Sequence, residues 1–149
     1  MENTKSVTIT PTRTEHEQPK AIIEEKIRYC LYARKSTESE ERQVLSIDSQ
    51  INEILQLAER EGLDVTEIRR ESHSAKSTGQ RPVYNELLAD IRQRKFGGIL
   101  TWAPDRLSRN AGDLGAIVDL IDQGLLHEIR TYGQRFTNSP NEKFMLMIL

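Results

Sequence analysis

The feature that most constrains the fold is a regular alternation of short apolar runs with amphipathic segments of helical period. Four runs rich in β-forming residues predict strands over residues 27–33, 63–71, 98–102 and 125–132. Between them, the spacing of apolar side chains predicts helices over residues 46–61, 81–95 and 111–122. Strands that alternate with helices are typical of α/β folds, whose crossover helices cover both faces of the sheet. The sequence therefore predicts an α/β domain with a mainly parallel sheet of four to five strands and helices on both faces.

The first predicted strand runs directly into residues that can bind a phosphate. Tyr29–Ala33 is apolar throughout, as expected for a strand buried on both faces, and Arg34, Lys35 and Ser36 follow at once. Ligand sites of open parallel sheets lie at the carboxyl ends of the strands. We therefore expect Arg34 and Ser36 to lie in a functional site.

Two further loops are expected to reach the same edge of the sheet, one before the second helix and one after the third strand. The charged residues expected around Ser36 are Arg34, Lys35, Arg81, Arg106, Arg109 and Asp105. Five cations less one carboxylate give a local charge of about +4, in a chain whose net charge is −2. Guanidinium groups stay protonated and bind phosphate oxygens through paired hydrogen bonds. This pattern favours a phosphate-binding site.

The spacing of two of these arginines has two interpretations. Arg106 and Arg109 are three residues apart, so they would share one face of a helix start. The helix dipole disfavours cations there, and an anion held between the two side chains would remove that conflict. The alternative is that they only form surface ion pairs with Asp105 and Asp113. The sequence alone leaves both interpretations open.

Composition narrows the class of protein. The chain has 149 residues, and its net charge of −2 argues against a bulk polycation that coats nucleic acid. Its single cysteine, Cys30, excludes a disulfide framework, is expected in the core, and fits a reducing cytoplasm. No run approaches the roughly 18 apolar residues of a membrane span, and the N-terminus lacks a signal-peptide pattern. We expect a cytoplasmic protein without a membrane partner.

Three segments are expected along the chain. Residues 1–25 are rich in Thr, Glu, Lys and Pro and are predicted to form a flexible arm, and residues 26–138 form the α/β domain. Ser139, Pro140 and Glu142 form a capping-box pattern that opens a helix over residues 139–149. The last six residues of that helix are apolar and would face outward all round it. The expectation is a truncated C-terminal helix that belongs to a longer chain.

At this point the residues resemble a known family, the catalytic domain of serine recombinases. The resemblance rests on Tyr32–Thr37 (YARKST), Gln50, Gln80–Pro82 (QRP) and Asp105–Arg109 (DRLSR), in that order, and covers about residues 27–149. The family comprises resolvases, DNA invertases and the large serine integrases. The resemblance implies a resolvase-like fold, and the segment between Ser36 and Gln50 favours the large-integrase type.

The resemblance also implies roles for individual residues. Ser36 corresponds to the nucleophile that attacks the scissile phosphodiester. The corresponding phosphate ligands and their acidic neighbour are Arg34, Arg81, Arg106, Arg109 and Asp105.

Supporting positions follow from the same motifs. Tyr32 and Gln50 match supporting positions of the family. The family usually has an Asp and a Ser after the second strand, and Glu71 and Ser74 are the nearest matches here. Because Glu replaces Asp, the correspondence departs from the family pattern at that position.

The implied reaction is transesterification that needs no metal ion or other cofactor. Ser36 would displace the 3′ oxygen and form a 5′-phosphoserine link, and the reverse step would rejoin the DNA. The implied partners are double-stranded DNA and further copies of the protein, as a dimer and as a synaptic tetramer. The 139–149 helix would begin the oligomerisation helix, and an isolated piece of this length is expected to be inactive.

Two other classes of function compete with this one. An enzyme on small phosphate esters would also use a cationic pocket, but the GxxxxGK[ST] phosphate loop is not present in the sequence. A binding module without catalysis, acting on DNA or protein, would be favoured if Ser36 or one of the arginines were missing. All of them are present, which favours a recombinase.

Overall fold

The computed structural model describes residues 26–34, 46–71, 81–108 and 110–148. The elements in chain order are β1 (Arg28–Arg34), α1 (Ile47–Glu61), β2 (Asp64–Glu71), α2 (Pro82–Arg92), β3 (Gly98–Leu100), a 3-10 turn (Pro104–Arg106), α3 (Ala111–Asp122), β4 (Glu128–Arg130), β5 (Arg135–Phe136) and α4 (Pro140–Ile148).

The strands form one sheet in the order β2-β1-β3-β4-β5. Strand β1 pairs in parallel with β2 and β3, and β3 pairs in parallel with β4, whereas β4 and β5 are antiparallel. The predicted α/β fold with a mainly parallel sheet is therefore confirmed. Strand β5 was not predicted individually, because two residues are too short to show a period.

The helices pack on both faces of the sheet, and β1 contributes to both cores. Tyr29, Leu31 and Ala33 pack with the apolar face of α1. Cys30 and Tyr32 point to the other face, where α2, α3 and Leu146 of α4 complete the core. This arrangement explains why the strand is apolar at every position, and it confirms that Cys30 is a core residue.

Two details of the packing differ from expectation. Ile68, an apolar residue of the predicted second strand, is 39% exposed, because β2 is an edge strand with β1 as its one neighbour in the described sheet. Leu146 is buried, so the prediction that the apolar run of α4 faces outward all round is wrong. Met145 and Met147 do remain exposed on α4. Glu142 accepts a hydrogen bond from the Thr137 hydroxyl, a partner that the capping-box pattern did not predict.

Candidate active site at the carboxyl edge of the sheet

Arg34 is the last residue of β1, and its side chain is completely buried. Its Nε donates to the backbone carbonyl of Arg106 at 3.2 Å, and its Nη2 donates to the carbonyl of Asp105. The first strand therefore delivers a cation to the segment that follows β3, as the sequence predicted.

Arg81 reaches the same segment from the start of α2. Its Nη1 donates to the carbonyl of Arg106 at 3.0 Å and its Nη2 to the carbonyl of Leu107 at 2.8 Å. Nη2 also lies 2.7 Å from Oδ2 of Asp113 on α3, and both side chains are buried. Arg34 and Arg81 thus share one acceptor, the carbonyl oxygen of Arg106.

Arg106 ends the 3-10 turn that follows β3, and its side chain is buried. Nη1 of Arg106 pairs with Oδ1 of Asp105 at 2.8 Å. Its Nε is buried and has no hydrogen-bond partner among the described residues. A buried N–H without an acceptor is costly, so this donor is suited to an anion that enters the site.

The expectation that Arg106 lies in the first turn of a helix shared with Arg109 is wrong. Helix α3 begins later, at Ala111, because the side chain of Asn110 accepts the backbone N–H of Asp113 at 2.8 Å and caps the helix. Arg106 belongs instead to the separate 3-10 turn, while Arg109 lies outside the described residues.

The ion-pair alternative can be checked only for Arg106. Asp105 does pair with Arg106, but the buried guanidinium makes this more than a surface pair. Asp113 pairs with Arg81, and Arg109 lies outside the described residues.

The expected local charge of about +4 is not found in the described part of the site. Three arginines, Arg34, Arg81 and Arg106, meet three carboxylates, Glu71, Asp105 and Asp113. The expectation counted a single carboxylate, and it included Lys35 and Arg109, which the structure does not describe.

Glu71 ends β2 directly beside Arg34 in the parallel register, and its carboxylate is buried. Its oxygens accept the backbone N–H groups of Val83 at 3.2 Å and Tyr84 at 2.8 Å, which are free donors in the first turn of α2. Arg81, the residue at the cap position, makes no side-chain cap. Glu71 therefore caps α2 from a neighbouring strand, and the helix dipole favours its negative charge there.

Tyr32 completes this arrangement. Its hydroxyl donates to Oε1 of Glu71 at 3.1 Å. Burial raises the pKa of the Tyr32 hydroxyl; Arg81 opposes this shift and Glu71 adds to it. The hydroxyl therefore stays protonated at physiological pH and acts as a donor rather than as a base.

Of the remaining predicted residues, the structure describes Gln50 but not Ser36 or Ser74. Gln50 is buried in the first turn of α1, at the same edge of the sheet. Ser36 and Ser74 fall in the ranges 35–45 and 72–80, which the structure does not describe. Their assignments therefore stay predictions.

Sequence reasoning did not identify the roles of two residues that hold the site. Asp113 had a local signal, because Asn110 and Asp113 form the spacing of a helix cap, but its pairing with Arg81 had none. Tyr84 was given no role of its own; the centroid of its ring lies 3.7 Å from the Arg81 guanidinium carbon. Both contacts depend on how α2 and α3 pack, which no local pattern encodes.

Other features of the described residues do not suggest a second catalytic site. A cavity of about 820 Å³ lies at the opposite edge, lined by Lys26, Ile27, Tyr29, Gly62, Leu63, Asp64 and His127. Within the described ranges, no group of three His, Cys, Asp or Glu side chains is placed to hold a metal ion. No helix there combines the length and apolar content required to cross a membrane.

Comparison with known proteins decides the family. The model of the resolvase N-terminal domain matches residues 29–149, which is most of the chain. The chain belongs to the resolvase family. A search of curated protein sequences found no match.

Solved structures give the same fold. The chain is 25% identical to the N-terminal catalytic domain of TP901-1 integrase, with a TM-score of 0.65 over 81% of this chain and 89% of that one. A resolvase family site-specific recombinase from Streptococcus pneumoniae is 20% identical, with a TM-score of 0.65 over 83% and 85% of the two chains. The C-terminal catalytic domain of ISC1926 TnpA, an IS607-like serine recombinase, is 24% identical, with a TM-score of 0.57 over 82% and 76%.

The family assignment confirms the resemblance to serine recombinases and the resolvase-like fold. At the level of the family, the activity is site-specific DNA recombination by a catalytic domain of this kind. The buried arginines at the carboxyl edge are now candidates for that chemistry.

Proposed function

We propose that this resolvase-family chain cuts and rejoins DNA through a covalent link between Ser36 and a 5′ phosphate. The observation that carries the proposal is the convergence of Arg34 and Arg81 on the carbonyl oxygen of Arg106. Three motif arginines, distant in the sequence, thereby form one cluster. Only Lys35 separates Ser36 from Arg34 along the chain.

The chemical step exchanges one phosphodiester for another. Oγ of Ser36 forms a bond to phosphorus and loses its proton, while the bond from phosphorus to the 3′ oxygen breaks and that oxygen takes up a proton. The same steps in reverse rejoin the DNA ends and release the serine. Because each broken phosphodiester bond is replaced by another, its bond energy is conserved and no nucleoside triphosphate is consumed.

The arginines supply the charge that this step requires. A phosphate under attack carries extra negative charge on its equatorial oxygens, and fixed guanidinium groups stabilise it. Arg106 has a buried Nε without an acceptor, which supports a role as a phosphate ligand. Arg109 is assigned to the same ligand set by its motif position and Asp105 is their acidic neighbour, with Tyr32, Gln50, Glu71 and Ser74 in supporting roles.

The proposed partners are double-stranded DNA and further copies of the protein. The exposed Met145 and Met147 on α4 support self-association through that helix. The domain division proposed is an arm over residues 1–25, a catalytic domain over 26–138 and the oligomerisation helix from residue 139. The similarity to the catalytic domain of TP901-1 integrase favours the large-integrase type.

The deciding experiment is to trap the covalent adduct. The full-length protein is incubated with a duplex that carries its recombination site with a mismatched centre, which prevents rejoining. Wild type should form a protein–DNA adduct, and Ser36→Ala should form none while still binding the duplex. Ser49→Ala, which changes a partly exposed hydroxyl on α1, should form the adduct like wild type. An adduct of undiminished yield from Ser36→Ala would refute the assignment.

A further inference from the structure

The ring of Tyr84 covers one face of the Arg81 guanidinium. The guanidinium carbon lies 3.7 Å from the ring centroid, and both side chains are buried. A cation over an aromatic face at this distance is attracted by the ring, more strongly so when both groups are desolvated. The contact occurs within the first turn of α2, three residues apart along the helix.

The edge of the same guanidinium is also occupied. Of its five N–H donors, one binds the Arg106 carbonyl and two bind the Leu107 carbonyl and the Asp113 carboxylate. The other two donors, one on Nε and one on Nη1, take no part in these three bonds. The three acceptors restrict motion in the plane of the guanidinium, and the ring restricts tilting out of that plane.

The ring itself is held firmly. The backbone N–H of Tyr84 donates to Glu71 at 2.8 Å, and its ring packs on Tyr32 with centroids 5.6 Å apart. The Tyr84 hydroxyl, by contrast, is buried with no hydrogen-bond partner among the described residues. The aromatic face is the part of this residue that lies against the Arg81 guanidinium.

We infer that Tyr84 is a positioning residue for DNA cleavage, which fixes the plane of the Arg81 guanidinium so that its two remaining donors meet the scissile phosphate. This inference rests on the proposed function. Tyr84 makes no contact with the phosphate itself. It restricts the Arg81 side chain in advance, so that Arg81 loses less conformational freedom when it binds the transition state.

The first test is spectroscopic and independent of DNA. The ring current of Tyr84 should shift the Nε–H resonance of Arg81 upfield in the NMR spectrum of the protein. Tyr84→Phe should keep this shift, and Tyr84→Leu should lose it. An unchanged Arg81 resonance in Tyr84→Leu would overturn the inference.

The second test measures the rate of adduct formation on the recombination site. Tyr84→Leu should slow the step by about tenfold, because the guanidinium must then be oriented as the transition state forms. Tyr84→Phe should restore the rate, because it restores the ring. If Tyr84→Leu does not fold, Tyr84→Met replaces it, since a flexible thioether fills the space without a ring.

The matched control is Tyr29→Leu. Tyr29 is a buried tyrosine of β1 that packs on the opposite face of the sheet from Tyr84 and donates to Glu128. At a temperature where all variants are folded, its cleavage rate should equal that of wild type.

The possible results distinguish the positioning role of Tyr84 from the proposed covalent role of Ser36. If wild type forms the adduct and Tyr84→Leu does so equally fast, the positioning role is wrong and the proposed function stands. If Ser36→Ala still forms the adduct, the proposed function falls. The position of Arg81 is then judged by its Nε–H resonance, which must move in Tyr84→Leu and not in Tyr84→Phe.

Discussion

Nη2 of Arg81 lies 2.7 Å from Oδ2 of Asp113, and both side chains are buried. This pair joins the start of α2 to the first turn of α3. The amide of Asn110 adds a second hydrogen bond to the same carboxylate oxygen at 3.2 Å. Since Arg81 also binds the Arg106 and Leu107 carbonyls, the pair fixes the segment that carries Asp105 and Arg106.

We predict that Asp113→Asn lowers the free energy of unfolding by about 3 kcal/mol, because removal of one charge leaves the other buried without its partner. Urea unfolding followed by circular dichroism measures the change. Asp48→Asn provides the control, since Asp48 pairs with Arg70 at 3.2 Å in an exposed position. That substitution should cost less than about 1 kcal/mol. Equal effects of the two substitutions would contradict the role assigned to Asp113.

We further predict that Glu71→Ala destabilises the protein by about 2 kcal/mol. The substitution removes the acceptor of two backbone N–H groups of α2 and of the Tyr32 hydroxyl, and it leaves these donors buried. Urea unfolding again provides the measurement. Arg70→Ala, the exposed neighbour on the same strand, should change stability by no more than about 0.5 kcal/mol. A Glu71→Ala variant as stable as Arg70→Ala would show that the cap contributes little.

The sequence was sufficient to predict the α/β architecture and the carboxyl edge of the sheet as the location of the candidate site. Alternating periods predict the βα order, and in a parallel sheet Arg34 and the Asp105–Arg106 segment must reach the same edge. The predicted bounds of α3, residues 111–122, agree with the structure because the capping side chain of Asn110 stands next to the first helical residue. Local chemistry of this kind is visible in a sequence.

The contacts that hold the arginines were not predictable in the same way. Sequence reasoning treated Arg34 and Arg81 as free for a phosphate, whereas both donate to the carbonyl of Arg106. A backbone carbonyl has no residue signature, so no motif can identify it as the acceptor. The pairing of Arg81 with Asp113 and its stacking on Tyr84 likewise arise from the packing of helices against the sheet.

Cys30 predicts how stability changes at alkaline pH. Burial raises the pKa of its thiol from 9.0 to about 12, with Arg69 opposing the shift. The folded state therefore keeps the neutral thiol, while the unfolded state ionises above pH 9. Stability contributed by this group is complete below pH 9 and is lost as the pH rises toward 12. Burial raises the pKa of Tyr29, Tyr32 and Tyr84 as well, so these residues act in the same direction.

Two measurements check this prediction. Unfolding in urea should require less denaturant as the pH is raised above 9, and Cys30→Ala should weaken that dependence. Alkylation of Cys30 by iodoacetamide at pH 9 should be slow in the folded protein, where the thiol is fully buried and stays neutral, and fast in urea. Rapid alkylation of the folded protein would show that the thiol is accessible and not protected by the core.

The last prediction concerns Gly98, on which the ring of Tyr29 rests. A Cβ at this position would lie 2.5 Å from two ring carbons of Tyr29 and 3.0 Å from Cγ2 of Ile27. The ring cannot easily retreat, because its hydroxyl donates to Glu128 at 2.9 Å in the buried layer. Gly98→Ala should therefore cost about 2 kcal/mol of stability through overpacking.

Gly115→Ala is the matched control, since Gly115 lies exposed in α3 with nothing within 4 Å of its added Cβ. That change should stabilise the protein by about 0.5–1 kcal/mol, because alanine favours a helix interior over glycine. The two substitutions add the same methyl group and should shift the urea midpoint in opposite directions; a shift of the same sign in both would disprove the close contact between Gly98 and Tyr29.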